Sequence, residues 1–116
     1  MSSDSTTPTT DPETHRIHHT DLTMFQIDIL AVCARLEVAL DRDVHGLAIK
    51  DGLSDVRDEK IKHGRLYPNL DDLAGKGLIE KGKIDDRTNS YRVTQEGFRV
   101  LDGRRDHLAR AIDGGA

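Results

Sequence analysis

Basic side chains that could bind phosphate groups are concentrated in one third of this 116-residue chain. Residues 60–92 carry eight Lys or Arg against five acidic residues, a net charge of +3. Residues 1–59 carry 12 acidic and 5 basic side chains, a net charge of −7. Because Lys and Arg neutralise the phosphates of nucleic acids, this segregation indicates a local nucleic-acid-binding surface that the overall charge of −4 conceals.

Enzyme chemistry is not supported by the sequence. It contains no phosphate-binding loop, no Cys/His pair at metal-ligand spacing and no nucleophile elbow. The 21 carboxylates are expected on the surface, and so short a chain has little room for a substrate cleft. We therefore predict a protein that is not an enzyme, with no catalytic residue, cofactor or small-molecule substrate.

The histidines and the cysteine suggest two further kinds of chemistry, metal binding and thiol redox chemistry, and both signals are weak. His15, His18 and His19 could place two imidazoles on a metal, but no Cys or carboxylate cluster completes a site. We predict no metal, and favour an N-terminal arm that touches DNA or a second subunit. Cys33, the only cysteine, excludes an internal disulfide. A buried, inert thiol is favoured over a redox sensor, which needs exposure and a lowered pKa.

Composition predicts one domain with a small aliphatic core. Hydrophobic residues make up 35% of the chain and charged residues 33%. The first 20 residues are rich in Ser, Thr, Asp and Pro, which predicts a flexible tail or arm over residues 1–20, disordered to about Thr14. No signal peptide or membrane span is evident, so we expect a cytoplasmic protein. With 16 Asp and 5 Glu against 11 Arg and 6 Lys, the composition favours a protein adapted to high salt, an ordinary acidic protein being the alternative.

Hydrophobic spacing predicts the elements that hold the basic residues. A helix from Leu22 to Leu40, capped by Thr20 or Asp21, is followed by a helix from about Val44. A third helix, about 62–76, begins near Lys62 to Gly64, which would place Pro68 in or near its opening turn, where a missing N–H costs little. Two strand-like runs around the turn Asp85–Asn89 then form a hairpin over about 78–94, and a last helix follows.

This order of helix, helix, helix, hairpin, helix is the winged helix-turn-helix arrangement. The predicted fold class is mainly α with a small β-hairpin (α+β). Residues 1–20 form the tail, 21–94 the DNA-binding domain and 95–113 a C-terminal dimerisation helix. The third helix would read DNA and the hairpin would be the wing, so the predicted DNA contacts are the polar residues of these two elements: Lys60, Lys62, His63, Arg65, Asn69, Lys83, Arg87 and Arg92.

Three separated motifs resemble the PadR-type transcriptional regulators, most closely their haloarchaeal members. The motif around the third helix is Gly64, Leu66-Tyr67-Pro68, Leu70, Leu73 and Gly77-Leu78-Ile79. The end of the wing matches at Tyr91, Thr94 and Gly97, and the start of the second helix at His45, Gly46 and Ile49. The resemblance covers roughly residues 24–112. It departs from the family in a less basic wing, "DDRTNSY", and at Lys62 and Arg65, where small hydroxyl residues are common.

The resemblance implies a homodimer joined through the helix after the wing and part of the first helix. The residues it places in this interface are Phe25, Ile29, Phe98, Leu101, Leu108 and Ile112. A two-fold dimer predicts a palindromic DNA site with reading helices about 34 Å apart. The resemblance also implies a stress response, oxidative stress in particular, and we expect bound salt ions at the interface. The competing hypothesis is a winged helix that binds proteins instead of DNA, which would have no reason to gather Lys60, Lys62, Arg65 and Arg87 on one face.

Overall fold

The computed structural model describes residues 16–114. A single-turn 3-10 helix, His19–Asp21, precedes helix α1, Met24–Leu40, and the short strand β1, Val44–His45. Helices α2, Gly46–Arg57, and α3, His63–Gly75, follow. Strands β2, Ile79–Lys83, and β3, Asn89–Val93, form the hairpin, and helix α4, Gln95–Ile112, closes the chain. The predicted order and the winged-helix fold are therefore confirmed, with β1 as an addition.

Helix α1 begins two residues later than predicted because Thr23 supplies its N-cap. The Thr23 hydroxyl accepts a hydrogen bond from the Gln26 N–H at 3.1 Å, and the Gln26 side chain accepts one from the Thr23 N–H at 3.2 Å. This reciprocal capping box satisfies two N–H groups that a helix start leaves free. Thr20 and Asp21, the predicted caps, both belong instead to the 3-10 helix.

Helix α2 begins at Gly46, and the two residues before it form a strand. Val44 pairs with Tyr91 and His45 with Ser90, which makes a three-stranded antiparallel sheet in the order β1–β3–β2. The His45 imidazole then caps α2 by accepting a hydrogen bond from the Ala48 N–H at 3.2 Å. The prediction of a helix from about Val44 was wrong because a pairing partner 47 residues away decides the conformation of Val44.

Pro68 lies deeper in α3 than predicted, at the sixth residue of the helix. An interior proline leaves the carbonyl four residues earlier, that of Gly64, without an N–H donor from the helix ladder. Gly64 and Pro68 are both exposed. The helix is held by Leu66, Leu70 and Leu73, which are fully buried on its inner side. Burial of an aliphatic side chain contributes about 2 kcal/mol each, which offsets the loss of one hydrogen bond.

The core lies between α1, the inner sides of α2 and α3, and one face of the sheet. Ile29, Leu30, Val32 and Cys33 of α1 are almost fully buried in it. The sheet contributes Tyr91 and Val93 to the core, and α4 contributes Val100. None of the helices within residues 16–114 is long and apolar enough to cross a membrane.

Part of the predicted N-terminal tail packs on α4. Arg16 forms an ion pair with Glu96 at 2.7 Å, Arg99 donates a hydrogen bond to the Ile17 carbonyl, and His19 is buried. His15 and the rest of residues 1–15 lie outside the described residues.

Candidate nucleic-acid interface

The outward side of α3 is small or acidic, and its basic residues stand at the edges. Opposite the buried leucines, the helix presents Gly64, Pro68, Asp71 and Asp72, all exposed. Asp72 accepts hydrogen bonds from Lys76 at 2.7 Å and from Gln26 at 2.8 Å, and these bonds lower the pKa of its carboxyl. Any charge-based contact of α3 with phosphates therefore comes from its first turn and from neighbouring elements.

Arg65 in the first turn of α3 lies over an aromatic ring. Its guanidinium carbon is 3.9 Å from the centroid of the Phe25 ring, and its Nη1 is 3.3 Å from Glu59. Glu59 is also held by Arg57 at 2.8 Å, and this hydrogen bond is the main cause of the lowered pKa of Glu59. Arg57 completes the chain of charges through an ion pair with Asp28 at 2.7 Å.

The wing is attached to α3 by an ion pair and shaped by a side-chain turn. Lys81 of β2 contacts Asp71 on the outward side of α3 at 3.1 Å, which raises the pKa of Lys81. At the tip, one oxygen of Asp85 accepts hydrogen bonds from the N–H groups of Arg87 and Thr88, at 2.8 and 2.9 Å. These bonds lower the pKa of Asp85 and fix the backbone at Arg87, whose side chain is exposed.

A cleft of about 310 Å³ joins the wing tip to the start of α3. Arg87 and Thr88 line one side of it, and His63 and Tyr67 the other. The rings of His63 and Tyr67 lie with centroids 5.1 Å apart and planes inclined at 58°. The floor includes Gly46, where a Cβ would stand only 2.4 Å from the Tyr67 hydroxyl oxygen. Glycine at the start of α2 is thus what allows Tyr67 to pack there.

Several predicted contact residues are exposed beside this cleft and α3. Within residues 16–114, no ion pair engages Lys60, Lys62, Lys83 or Arg87. Lys83 shares a face of the hairpin with Lys81 because alternate residues of a strand point the same way. These side chains, with His63 and Arg65, lie on the segment before α3, in its first turn or on the hairpin, and we refer to them together as the basic rim.

Two predicted contact residues are turned away from that rim. Asn69 donates to the Arg65 carbonyl at 2.7 Å and accepts from Gln26 at 3.1 Å, so intramolecular bonds occupy its amide. Arg92 lies on the opposite face of the hairpin from Lys81, opposite Glu80 on the neighbouring strand, and pairs with Asp43 at 3.5 Å. At both positions the side chain has an intramolecular partner, and its contact with DNA stays a prediction.

An apolar surface on α4 and the neighbouring part of α1 is not covered by any other described residues. Phe98, Leu108 and Ile112 are exposed on α4, and Leu101 is partly buried. Phe98 also lines a groove with Ala34, Leu36 and Val38 of α1. The other two predicted interface residues, Phe25 and Ile29, are buried within the single chain, 6% and 0% exposed, because they face its core. The exposed residues of α1 that line this groove are Arg35, Val38 and Ala39 instead.

Cys33 is fully buried, as the sequence predicts. Burial raises the pKa of its thiol to about 12, and the nearby Glu37 carboxylate acts in the same direction. A thiol that stays protonated at neutral pH is a poor nucleophile. No three His, Cys, Asp or Glu side chains cluster at metal-binding distance in the part of the chain that the structure describes.

The sequence reasoning did not identify Phe25 and Glu59 as partners of Arg65, or Lys81 as the link between wing and α3. Phe25 is predicted from the sequence only as a residue of the dimer interface, and nothing in local spacing tells which face of its helix meets α3. For Lys81 a signal was present, since it lies two residues from Lys83 and so on the same strand face.

The sequence and the fold together match known regulators. Residues 36–103 match the model of the PadR-like transcriptional regulator family. The chain belongs to this family. Membership confirms the predicted resemblance, and the protein is a DNA-binding transcriptional regulator rather than an enzyme.

Structures of RosR are similar to this PadR-like chain over most of its length. H. salinarum RosR grown from NaBr is 47% identical, covering 78% of this chain and 77% of that one, with a TM-score of 0.65. A complex structure, hsRosR-SG, is 42% identical, covering 82% and 80%, with a TM-score of 0.71. A PadR-like transcription factor from Bacteroides fragilis is 18% identical, covering 80% and 90%, with a TM-score of 0.61, and supports the fold alone. No curated protein matches the chain.

Proposed function

We propose that this PadR-like regulator binds double-stranded DNA sequence-specifically, with α3 in the major groove and the wing against the adjacent backbone. The observation that supports this most strongly is the basic rim. Lys60, Lys62, Lys83 and Arg87 stand exposed around the outward side of α3 without ion pairs to other described residues. The small side chains at Gly64 and Pro68 let the helix backbone approach the bases closely between these phosphate contacts.

The proposal includes a homodimer that binds a palindromic site. The exposed apolar side chains of α4 and the groove beside α1 supply a surface that a second copy would bury. Residues 95–113 would then form the dimerisation helix, residues 21–94 the DNA-binding domain, and residues 1–20 an arm that touches DNA or the partner. A two-fold axis along α4 repeats the reading helix about one DNA turn away.

Adaptation to high salt and a stress response, oxidative stress in particular, complete the proposal. The acidic composition supports the first. The second comes from the family resemblance, and buried Cys33 does not support a sensor in this chain. A winged helix that binds proteins is the alternative, and the basic rim argues against it because a protein-binding face needs no such concentration of cations.

Footprinting on DNA from the protein's own promoter, in molar KCl, tests the interface. Arg65→Ala and Arg87→Ala should each abolish or strongly weaken a symmetric footprint. Arg92→Ala is the matched control, because it removes the same charge from the same hairpin on the opposite face and should leave the footprint intact. Unchanged footprints with Arg65→Ala and Arg87→Ala would contradict the proposed interface.

A further inference from the structure

We propose that Glu59, together with the Phe25 ring, orients the Arg65 guanidinium to recognise one guanine, which makes Glu59 a specificity determinant that never touches DNA. The inference rests on the proposed function, in which the first turn of α3 faces the major groove. It concerns residues outside the DNA-contact set, and it assigns Glu59 a positioning role through Arg65.

Two contacts restrict the position and rotation of the Arg65 guanidinium. Its carbon lies 3.9 Å from the Phe25 ring centroid, within cation–π distance, so the ring limits the movement of the guanidinium. Phe25 is only 6% exposed and is fixed by the core. The Nη1 contact with Glu59 at 3.3 Å then limits the rotation of the guanidinium over the ring.

Glu59 is itself anchored by Arg57. Its Oε2 accepts from the Arg57 Nε at 2.8 Å, while its Oε1 faces Arg65. Arg57 in turn donates to Asp28 of α1 at 2.7 Å. Both Arg57 and Asp28 are 22% exposed, and Arg57 also lies over the Phe25 ring at 5.1 Å. An exposed Arg–Glu pair alone is worth little, but a chain of contacts anchored on α1 and the end of α2 restricts the geometry.

Two hydrogen-bond donors of Arg65 remain without a partner among the described residues. Within residues 16–114, no acceptor engages Nε or Nη2 of Arg65, and the side chain is 44% exposed. These two N–H groups form the edge of the guanidinium that presents two parallel donors. Guanine offers two acceptors, O6 and N7, at matching spacing in the major groove, and Arg is their usual partner. A fixed Arg65 edge at the start of a reading helix therefore selects guanine.

Glu59 should weaken DNA binding in general and, at the same time, increase the preference for the correct base. Its negative charge near the interface repels phosphates, so it weakens binding to every DNA sequence. Its hold on Arg65 reduces the ordering required when the guanine contact forms, so it favours the correct base. Removing the carboxylate should therefore strengthen binding to unrelated DNA while reducing discrimination between sites.

The experiment uses Glu59→Gln with Asp58→Asn as its matched control. Asp58 is adjacent and exposed, makes no ion pair with any described residue, and has a φ of 51° that Asn tolerates. Binding sites are selected from random duplex DNA with the wild-type protein, and affinities for the selected and an unrelated duplex are then measured at one KCl concentration. Both variants should bind unrelated DNA more tightly than the wild type. Only Glu59→Gln should reduce the ratio of specific to unrelated affinity, by about tenfold.

Arg65→Lys separates failure of this inference from failure of the proposed function. Lysine keeps the charge but not the paired donors, so the specificity ratio should fall as in Glu59→Gln while unrelated binding stays near wild type. A reduced ratio in Arg65→Lys with an unchanged ratio in Glu59→Gln would overturn the orienting role. An unchanged ratio in Arg65→Lys would show that Arg65 reads no base and would overturn the inference, whereas loss of specific binding by the wild-type protein itself would overturn the proposed function.

A measurement without DNA tests the same orientation. The heteronuclear NOE of the Arg65 Nε–H reports how far the side chain is ordered in the free protein. It should be high in the wild type and in Asp58→Asn, and should fall in Glu59→Gln. An equally low value in all three proteins would contradict the inference, and an unchanged backbone spectrum would confirm that each variant is folded.

Discussion

Arg65 and Asn69 lie one turn apart on α3, yet their side chains are available to DNA to different degrees. Arg65 keeps two donors free of described partners, whereas Gln26 and the Arg65 carbonyl occupy the Asn69 amide. The sequence predicts both as polar residues of a reading helix. It does not predict the difference, because Gln26 is 43 residues away and only the packing of α1 against α3 brings it there. Residue type was predictable at this site, and hydrogen-bond partners were not.

His19 should make the packing of the N-terminal segment sensitive to pH. Burial lowers the pKa of His19, and His18, Arg104, His107 and Arg110 lower it further. At pH above the ordinary value of 6.5, the imidazole is neutral in both states and has no effect. As the pH falls below 6.5, the unfolded chain binds a proton that the folded chain resists, so stability falls until the pH reaches the lowered pKa.

Denaturant unfolding between about pH 8 and about pH 5 checks this expectation. His19→Gln should show a smaller loss of unfolding free energy below pH 6.5 than the wild type. His63→Gln, which changes an exposed imidazole at the start of α3, is the control and should keep the wild-type slope. Parallel pH profiles for wild type and His19→Gln would show that His19 is not responsible.

At the scale of elements, the helices were predictable from spacing and their ends were not. Three-and-four spacing identified the buried leucines of α3, although Pro68 lies about a turn deeper than predicted. The start of α2 was misplaced because Val44 and His45 join the sheet. Local patterns determine which face of an element is buried, whereas long-range pairing and capping determine where it begins.

Gly97 at the start of α4 should not tolerate a side chain. A Cβ there would stand 2.3 Å from the Leu78 carbonyl oxygen and 2.6 Å from a Val93 methyl group. Because the first of these is backbone, Gly97→Ala should reduce the free energy of unfolding by about 1–3 kcal/mol. Gly103→Ala in the same helix is the control, since its nearest contact is an ordinary 3.6 Å. Chemical denaturation of both variants measures the difference, and equal stabilities would contradict the packing at Gly97.

The wing tip should depend on one carboxylate. Asp85→Ala removes the acceptor of the Arg87 and Thr88 N–H groups, so Arg87 should lose its fixed position. We expect several-fold weaker DNA binding with little change in thermal unfolding, because residues 85–87 are exposed. Asp86→Ala removes the same charge without a hydrogen bond to a described residue, and should not weaken binding. Equal affinities for the two variants would show that the turn does not position Arg87.

At the scale of the whole molecule, some of the cations near α3 stand close to carboxylates, although Lys60, Lys62, Lys83 and Arg87 do not pair with a described residue. Arg65, Lys76 and Lys81 each pair with an acidic residue. When a DNA phosphate replaces the carboxylate as the partner of such a cation, the carboxylate is left unpaired and attracts a cation from solution. We therefore expect DNA binding to take up cations as well as release them, which would oppose the usual loss of affinity with salt.

Affinity measured across a KCl series from about 0.2 to about 2 M should therefore show a shallow or inverted salt dependence. An ordinary interface loses about 0.9 in log affinity per phosphate contact for each tenfold rise in salt. Asp71→Asn, which frees Lys81 of its partner, should make the slope steeper, whereas Asp102→Asn on α4 should not. A steep ordinary slope for the wild type would contradict ion uptake.

The two residue pairs between β1 and β3 have a mechanical consequence. They join the hairpin to the residue before α2, and Lys81 joins its other strand to α3. Tilting the hairpin by itself would break both attachments, so the described domain should move as one body. In the proposed homodimer, DNA half-sites with unequal separation would then be accommodated at the α4 contacts between copies, where a small rotation is amplified over the distance to each α3.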